Sequence, residues 1–533
     1  MRTCWIILVT VMLGVGCRKA PPSPPPPPEV LARWHFAGSE AVEATTNGSA
    51  VKAILALPES KALLEQTLDK LVRAPYARLK SGIHASTNDC AELLRPLFDD
   101  LTRAESYFEL RAASNRPTEW TLAVRLAPAR AEVWRTNLAT TLSLWTGQRP
   151  SNAAPAGLTG WRLRKHDAPD HVGLTVAPGW VLFGAGLGGL PLQDELAARV
   201  QAQGRPVPAT TNYWFQVMVD WPRFADLPRW LAALRLPKAD LTLAPRGDNL
   251  RAQAELLLPQ PLNWKPEPWR FPTNAIHDPV VGFAAIQGFG EWLKPILDAL
   301  GVKLDGVPNQ ACLWALQGVP FQTFIAAPVT EATNVMDQLR ERLPPWFSTN
   351  TAGHVLGSWR PVTNTHAIFW DGMPFFGGFM STAIEETNEG FIIAGLFPNT
   401  TNPQPPPPEL YFQVLGRTNL AYYDWEIGAE RLAAWRTMVQ LAHVLAEKPI
   451  LLPEAAAAKW MDAIGPKLGN IGTSLTVNGP DRMTLIRQSP HGFTGFETVL
   501  LAHWLESTNF PWGYRLPAPQ PITTNAAPLN PNP

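Results

Sequence analysis

The chain has 533 residues, and its Lys+Arg 45 balance its Asp+Glu 45 exactly in number, leaving no net charge. Binding nucleic acid through phosphates needs a basic surplus or a clustered basic face, and neither is visible. The apolar fraction of 46% against 17% charged residues marks a globular body, with the 55 prolines concentrated in linkers and turns. About 480 residues lie between the proline-rich ends, more than one hydrophobic core organises, so at least two domains are expected.

In chain order, Arg2 supplies a positive start and Trp5 to Val15 an uninterrupted apolar run. That run is too short for a permanent membrane span and fits the core of a secretory signal. Gly14, Val15 and Gly16 precede Cys17. On these residues the first 17 positions resemble the signal of a bacterial lipoprotein, with Gly14 where that family usually has Leu. The resemblance implies cleavage of residues 1–16 and acylation of Cys17, which anchors the mature chain in a membrane. Arg18, in place of Asp, resembles lipoproteins sent to the outer membrane rather than the inner one. Gly14-Val15-Gly16 also satisfies the small-x-small rule of ordinary signal cleavage at the same bond, which leaves simple secretion as the alternative. Pro21 to Pro28 then form a polyproline II rod that reaches about 3.1 Å per residue, or roughly 25 Å in all. Residues 17–29 are thus an anchor and spacer.

Arg33 to Gly38 reads as a first strand. A helix is expected from Val51, broken at Pro58 and resumed through Leu63, Leu64, Leu68, Leu71 and Val72 on one stripe. Asn88 or Asp89 caps another helix through Leu101. A strand at Thr121 to Leu126 stops at Pro128, ahead of a helix with Trp134, Leu138, Leu142 and Trp145 on one face. Strands follow at Trp161 to Arg164, Val172 to Val176 and Trp180 to Phe183. A short helix over Asp194 to Val200 leads to a strand at Tyr213 to Val219. A helix carrying Leu227, Trp230, Leu231 and Leu234, then strands at Leu241 to Leu243 and Ala252 to Leu258, complete this half.

The proline-rich segment Pro259 to Pro272 is a boundary, and beyond it the order of elements restarts. Val280 to Ile286 is a strand, followed by a helix with Phe289, Trp292, Leu293, Ile296 and Leu300. Gln322 to Ala327 ends at Pro328 as the earlier strand ends at Pro128, ahead of a helix with Val335, Met336, Leu339 and Leu343. Strands are expected at His366 to Trp370 and Phe391 to Ala394. Tyr411-Phe412-Gln413-Val414 echoes Trp214-Phe215-Gln216-Val217. A long helix carries Leu432, Trp435, Val439, Ala442 and Leu445, and strands at Leu475 to Val477, Met483 to Arg487 and Phe496 to Leu501 close the set. The expected architecture is α+β: two tandem, similar domains, 30–262 and 275–510, each an antiparallel sheet packed on helices. Residues 511–533 are expected to be a disordered tail. In organisation the mature body resembles uncharacterised tandem-repeat envelope proteins of bacteria, a likeness that implies no activity and no site residues.

The search for chemistry yields few residues. Gly184-x-Gly186-x-x-Gly189 follows a strand, but Pro191 and the lack of an acidic residue about twenty positions on favour a glycine-rich turn over a dinucleotide site. His166 with His171, and His354 with His366, are the nearest approaches to a metal pair, and none has a ligand spacing; no metal and no cofactor is expected. Asp240, Asp248 and Glu255, or Asp371 with Glu385, Glu386 or Glu389, could supply a glycosidase pair only if two of them face each other. Cys90 and Cys312 are read as buried free thiols. The Thr-Asn pairs at Thr46, Thr211, Thr273 and Thr363 read as turns and helix starts, and the 22 tryptophans mainly as core. Three functions remain open. The first is a non-catalytic, membrane-anchored envelope lipoprotein that binds a ligand such as a lipid, or a protein partner. The others are a structural component of envelope assembly and an extracytoplasmic hydrolase acting on glycans.

Overall fold

The structure is a computed structural model that describes residues 29–517 apart from 79–86, 114–115, 165–169, 188, 209–212, 225–231, 233, 318–321, 351–356, 363–364, 372–376, 387–388, 397–403 and 407. Cys17, the spacer up to Pro28 and the helix expected around Leu227, Trp230 and Leu231 lie outside the described residues. The first ten strands are β1 (Glu29–Phe36), β2 (Ser106–Ala113), β3 (Arg116–Arg125), β4 (Ser151–Asn152), β5 (Thr159–Arg164), β6 (Asp170–Ala177), β7 (Trp180–Leu187), β8 (Phe215–Asp220), β9 (Lys238–Arg246) and β10 (Asn249–Leu257). The second ten are β11 (Val280–Gln287), β12 (Gln310–Leu316), β13 (Thr323–Thr330), β14 (Ser358–Pro361), β15 (Ala367–Asp371), β16 (Gly378–Glu386), β17 (Glu389–Leu396), β18 (Leu420–Ile427), β19 (Asn470–Gly479) and β20 (Arg482–Ser489).

Among the described residues every strand pairing is antiparallel, and together the pairings make one continuous 20-stranded sheet. Across it the strands run β4-β5-β6-β7-β3-β2-β1-β8-β9-β10 and then β20-β19-β18-β11-β12-β13-β17-β16-β15-β14. The protein is therefore α+β with a large antiparallel sheet, as its alternation of strand and helix patterns predicts.

Helices cover both faces. Between β1 and β2 come α1 (Ser39–Ala44), α2 (Ser49–Leu55), α3 (Pro58–Arg78) and α4 (Thr87–Arg103). Next are α5 (Pro128–Thr146) after β3 and α6 (Pro191–Gln203) after β7. In the second half, α7 (Gly290–Leu300) follows β11, α8 (Ala332–Asn350) follows β13 and α9 (Glu409–Leu415) follows β17. Finally, α10 (Gly428–Leu445) and α11 (Ala456–Ile464) lie between β18 and β19, and α12 (Gly495–Leu505) follows β20. Helix α5 shows why these elements form. Pro128 opens it, where its missing N–H costs nothing, and Gly147 closes it in the left-handed region at φ 71°. Ala131, Trp134 and Leu138 recur at helical spacing and are buried. They pack with α4 on Trp161, Leu174 and Val181 of one sheet face, while α6 packs on Tyr107, Ala123 and Leu182 of the other.

A further core joins the ends of the chain. Ile54 and Leu63 pack with Leu432, Trp460, Met461, Val499 and Leu516. Gln66 Nε2 donates to Glu506 at 2.7 Å, and the Trp460 indole donates to Ser60 at 3.1 Å. The first and second halves thus share packing in addition to their edge-to-edge sheet. The ordered body also runs past the expected start of the tail at Pro511, since Leu516 is buried.

Two local expectations are corrected. Phe496 to Leu501 is helix α12, not a strand: Thr494 accepts from Glu497 N, and Glu497 answers with a bond to the Thr494 N–H. That capping box starts a helix, which the mostly apolar run disguised. Tyr411 to Val414 lies in α9, where Tyr411 and Val414, three apart, are both buried and Phe412 faces out. A strand would have buried alternate residues instead. Strands β2, β4, β12, β14, β16 and β18 and helices α1 and α11 had no counterpart in the sequence reading. The boundary segment, finally, is not a free linker. Buried Gln287 accepts from Glu267 N at 2.8 Å and donates to Glu267 O at 2.9 Å, and Gln310 does the same for Arg270 N and Pro268 O. Side-chain amides stand in for the ladder that the prolines deny, and they seat Trp269 and Phe271 in the second core.

Candidate functional site

The residues singled out from sequence are mostly dispersed. Gly184 and Gly186 lie inside β7, opposite Thr121 and Glu119 of β3. The Glu119 carboxylate accepts the Leu192 N–H at 2.7 Å and the Gln193 N–H at 3.3 Å. The start of α6, which a dinucleotide phosphate would need, is therefore filled by the protein's own acid. Burial pushes Glu119 up to about 7, against these two N–H bonds. His366 bonds Asp337 at 2.9 Å, His171 sits in β6, and His166 and His354 lie outside the described residues. Among the described residues no group of three His, Cys, Asp or Glu could hold a metal ion. Cys90 and Cys312 are both buried and neither is in a disulfide, and burial pushes the Cys312 thiol up to about 12. Thr46 and Asn47 lie in the bend before α2, Thr273 and Asn274 in a turn, and the other two pairs outside the described residues.

The carboxylate candidates separate on strand geometry. Asp371 ends β15 and pairs with Arg360, beside the Gly378 end of β16. Glu385 and Glu386 sit at the far end of β16, and Glu389 opens β17 opposite Glu386. At about 3.3 Å per residue the two ends are roughly 25 Å apart, too far for a glycosidase pair. Asp248 lies in the β9–β10 turn, bonded by Ser49 at 2.6 Å. Asp240 and Glu255 come together, directly opposed across β9 and β10. Gln216 Nε2 donates to Asp240 at 3.0 Å, and Glu255 accepts from Gln253 at 3.1 Å and Thr484 at 2.8 Å.

Two sites were not legible in the sequence. One is a buried charge cluster where α10 and α12 cross β18 and β20. Asp424 and Glu426, two apart on β18, share a face; Arg431 of α10 lies 4.0 Å from Glu426 and stacks over Trp435 at 5.0 Å. Arg487 of β20 holds Glu497 with contacts of 2.5 and 3.2 Å and donates to Thr473 at 2.9 Å. The small Gly282 opposite Glu426 makes room, its missing Cβ lying 3.2 Å from the Arg431 side chain. Burial pushes Asp424 up to about 6, against Arg487 and Arg431. Glu426 rises to about 7 through burial and the nearby Asp424, opposed by the Gly495 N–H, which it accepts at 2.6 Å.

Both carboxyls hold a proton more tightly folded than unfolded. Their contribution to stability is complete below the ordinary values of 3.8 and 4.5 and is lost as pH rises through 6 to 7. His491 and His503 work in the opposite sense: burial lowers both to about 4, so stability falls as pH drops from 6.5 towards 4. The thermal midpoint is therefore expected to climb as pH falls from 8 to about 6.5. Glu426→Gln, which keeps the acceptor for Gly495 without the charge, is expected to gain about 2 kcal/mol at pH 8 and little at pH 5. Urea unfolding at the two pH values decides this; an equal change at both would reject the buried charge as the cause.

The second site is a groove of about 370 Å³ lined by Tyr213, Thr242, Ala244, Arg251 and Gln253, on the sheet face that carries Asp240 and Glu255. Another hollow, of about 290 Å³, lies between the start of α5 and the Ala177–Gly179 turn and is lined by Leu126, Leu158 and Val176. Comparison of the chain with protein-family models, with curated proteins and with solved structures finds no match in any of the three.

Proposed function

We propose that the chain is a non-catalytic envelope lipoprotein, tethered through Cys17 and a proline spacer, whose body holds a small ligand or a protein partner on a duplicated sheet. The observation that carries this reading is the strand order. Each strand of the first half has as its counterpart the strand ten later in the second: β4 and β14 at the outer ends, β1 and β11 within, β10 and β20 at the centre. At the centre β10 and β20 pair antiparallel over Leu250–Leu257 and Arg482–Ser489, which sets the two halves edge to edge. Two α+β units, 30–262 and 275–510, so joined form a single broad platform rather than two separable lobes. Its ionic side chains are largely engaged with one another, as in Arg111 with Glu109 and Glu195. That suits holding better than turnover. Arg18 after Cys17 favours the outer membrane as the place of attachment.

Cys17→Ala is expected to abolish acyl labelling and to move the protein from the membrane pellet to the soluble envelope fraction. Full-length, uncleaved protein recovered from the cytosol would reject the reading. Native mass spectrometry of protein purified without detergent distinguishes a lipid occupant, which adds its mass, from a lipid-free body. The opposed Asp240 and Glu255 favour one alternative, hydrolysis of a glycan. Turnover of a glycoside panel that Glu255→Gln abolishes would select that reading over the first.

A further inference from the structure

The groove on the polar face has a charge pattern that names the class of molecule it takes. Arg251 lies opposite Ala244, whose small side chain leaves the guanidinium uncovered from that strand. Its Nη2 donates to Gln253 Oε1 at 3.1 Å, and its Nε–H is shielded from solvent and meets no acceptor among the described residues. No carboxylate of the described residues pairs with it, unlike Arg95, Arg111, Arg130, Arg162 and Arg487. A shielded guanidinium N–H without an acceptor costs free energy that an oxyanion recovers, and the fork geometry suits a carboxylate.

Four residues along the same strand, the strip changes sign. Glu255 stands opposite Asp240 there, about 13 Å from Arg251 at 3.3 Å per residue. Between the two ends lie Gln253 and Thr242, also directly opposed, and the Tyr213 hydroxyl, which donates to Gln216 at 2.5 Å. One end of the strip thus attracts a single negative charge. The other repels a second one and accepts hydrogen bonds from hydroxyl groups.

We propose that this groove binds a small polyhydroxylated monocarboxylate, its carboxylate on Arg251 and its hydroxyls directed along Gln253 and Thr242 towards Asp240 and Glu255. The inference rests on the reading of the body as a ligand holder and is independent of how that body is tethered. The test is isothermal titration calorimetry of the full-length protein with sodium gluconate, disodium succinate and glucose at matched ionic strength. Gluconate is expected to bind at least about tenfold more tightly than either of the others. Arg251→Gln is expected to weaken gluconate about tenfold or more, and Arg251→Lys, which keeps the charge without the fork, to fall between. Circular dichroism melts identify any variant that has lost its fold, in which case Arg251→Lys carries the comparison. Absence of gluconate binding up to 10 mM ligand, a preference of about tenfold for succinate, or unchanged affinity in both variants would overturn the proposal. A soluble Cys17→Ala protein that still binds gluconate leaves this inference intact, and a membrane-bound protein that binds none rejects it alone.

Discussion

Arg487→Met is expected to destabilise the protein by about 4 kcal/mol at pH 8 and by much less at pH 6. The guanidinium faces Glu497 with both nitrogens, bonds Thr473 and reaches the Gly492 carbonyl at 3.3 Å. Both side chains are under one-fifth exposed, at 18% and 17%. Removing the cation therefore leaves a buried carboxylate beside two others, Asp424 and Glu426. Most of the loss comes from that stranded charge rather than from the bonds themselves. At pH 6 Glu426, whose value is about 7, has taken up its proton and Asp424, at about 6, has taken up about half, so the repulsion falls. The double variant Arg487→Met/Glu497→Gln should recover most of the stability at pH 8. Urea denaturation followed by tryptophan fluorescence measures all of these. Equal losses at both pH values, with no recovery in the double variant, would show that Arg487 matters only through packing.

Gly495→Ala should cost about 3 kcal/mol through a single methyl group. A Cβ at that position would sit 2.7 Å from Leu432 N and 2.9 Å from Arg431 C. Both are backbone atoms of α10, which cannot rotate away, so α12 must lift off its neighbour. The same movement lengthens the bond from Gly495 N to Glu426, and the charge cluster loosens with it. Gly472→Ala, in β19 opposite Trp425, is the control: its Cβ would meet nothing within 4 Å. It is expected to be neutral or to stabilise by about 0.5 kcal/mol, because alanine loses less backbone freedom on folding. If the two variants unfold at the same denaturant concentration, the close crossing of α10 and α12 is not what holds this region.

Much of the element list was legible from local pattern. The stripe Trp134–Leu138 behind Pro128 predicts α5, and the apolar runs at Trp161, Val172 and Trp180 predict β5, β6 and β7. The misreadings fell where local pattern is ambiguous. The run from Phe496 to Leu501 is apolar at every position but Glu497 and Thr498, so neither period stands out and only the Thr494 cap separates helix from strand. β2 carries Tyr107, Glu109 and Arg111 on a single face, and that face is buried beneath α6 by ion pairs that no hydrophobicity pattern reveals.

The amino-acid sequence by itself determined the alternation of strands and helices and the absence of charge imbalance. These are properties of neighbours along the chain, set by periodicity, turn chemistry and composition. Tertiary structure alone decided that β10 pairs with β20, that Asp240 opposes Glu255 while Asp371 and Glu386 lie at opposite strand ends, and that Arg251 faces a groove while Arg487 faces an acid. Strand register over hundreds of residues depends on which buried faces fit and on the entropy of closing the loops between them. Neither quantity is written in any short stretch, so the chemistry of this protein is carried by contacts that form only when the whole sheet is assembled.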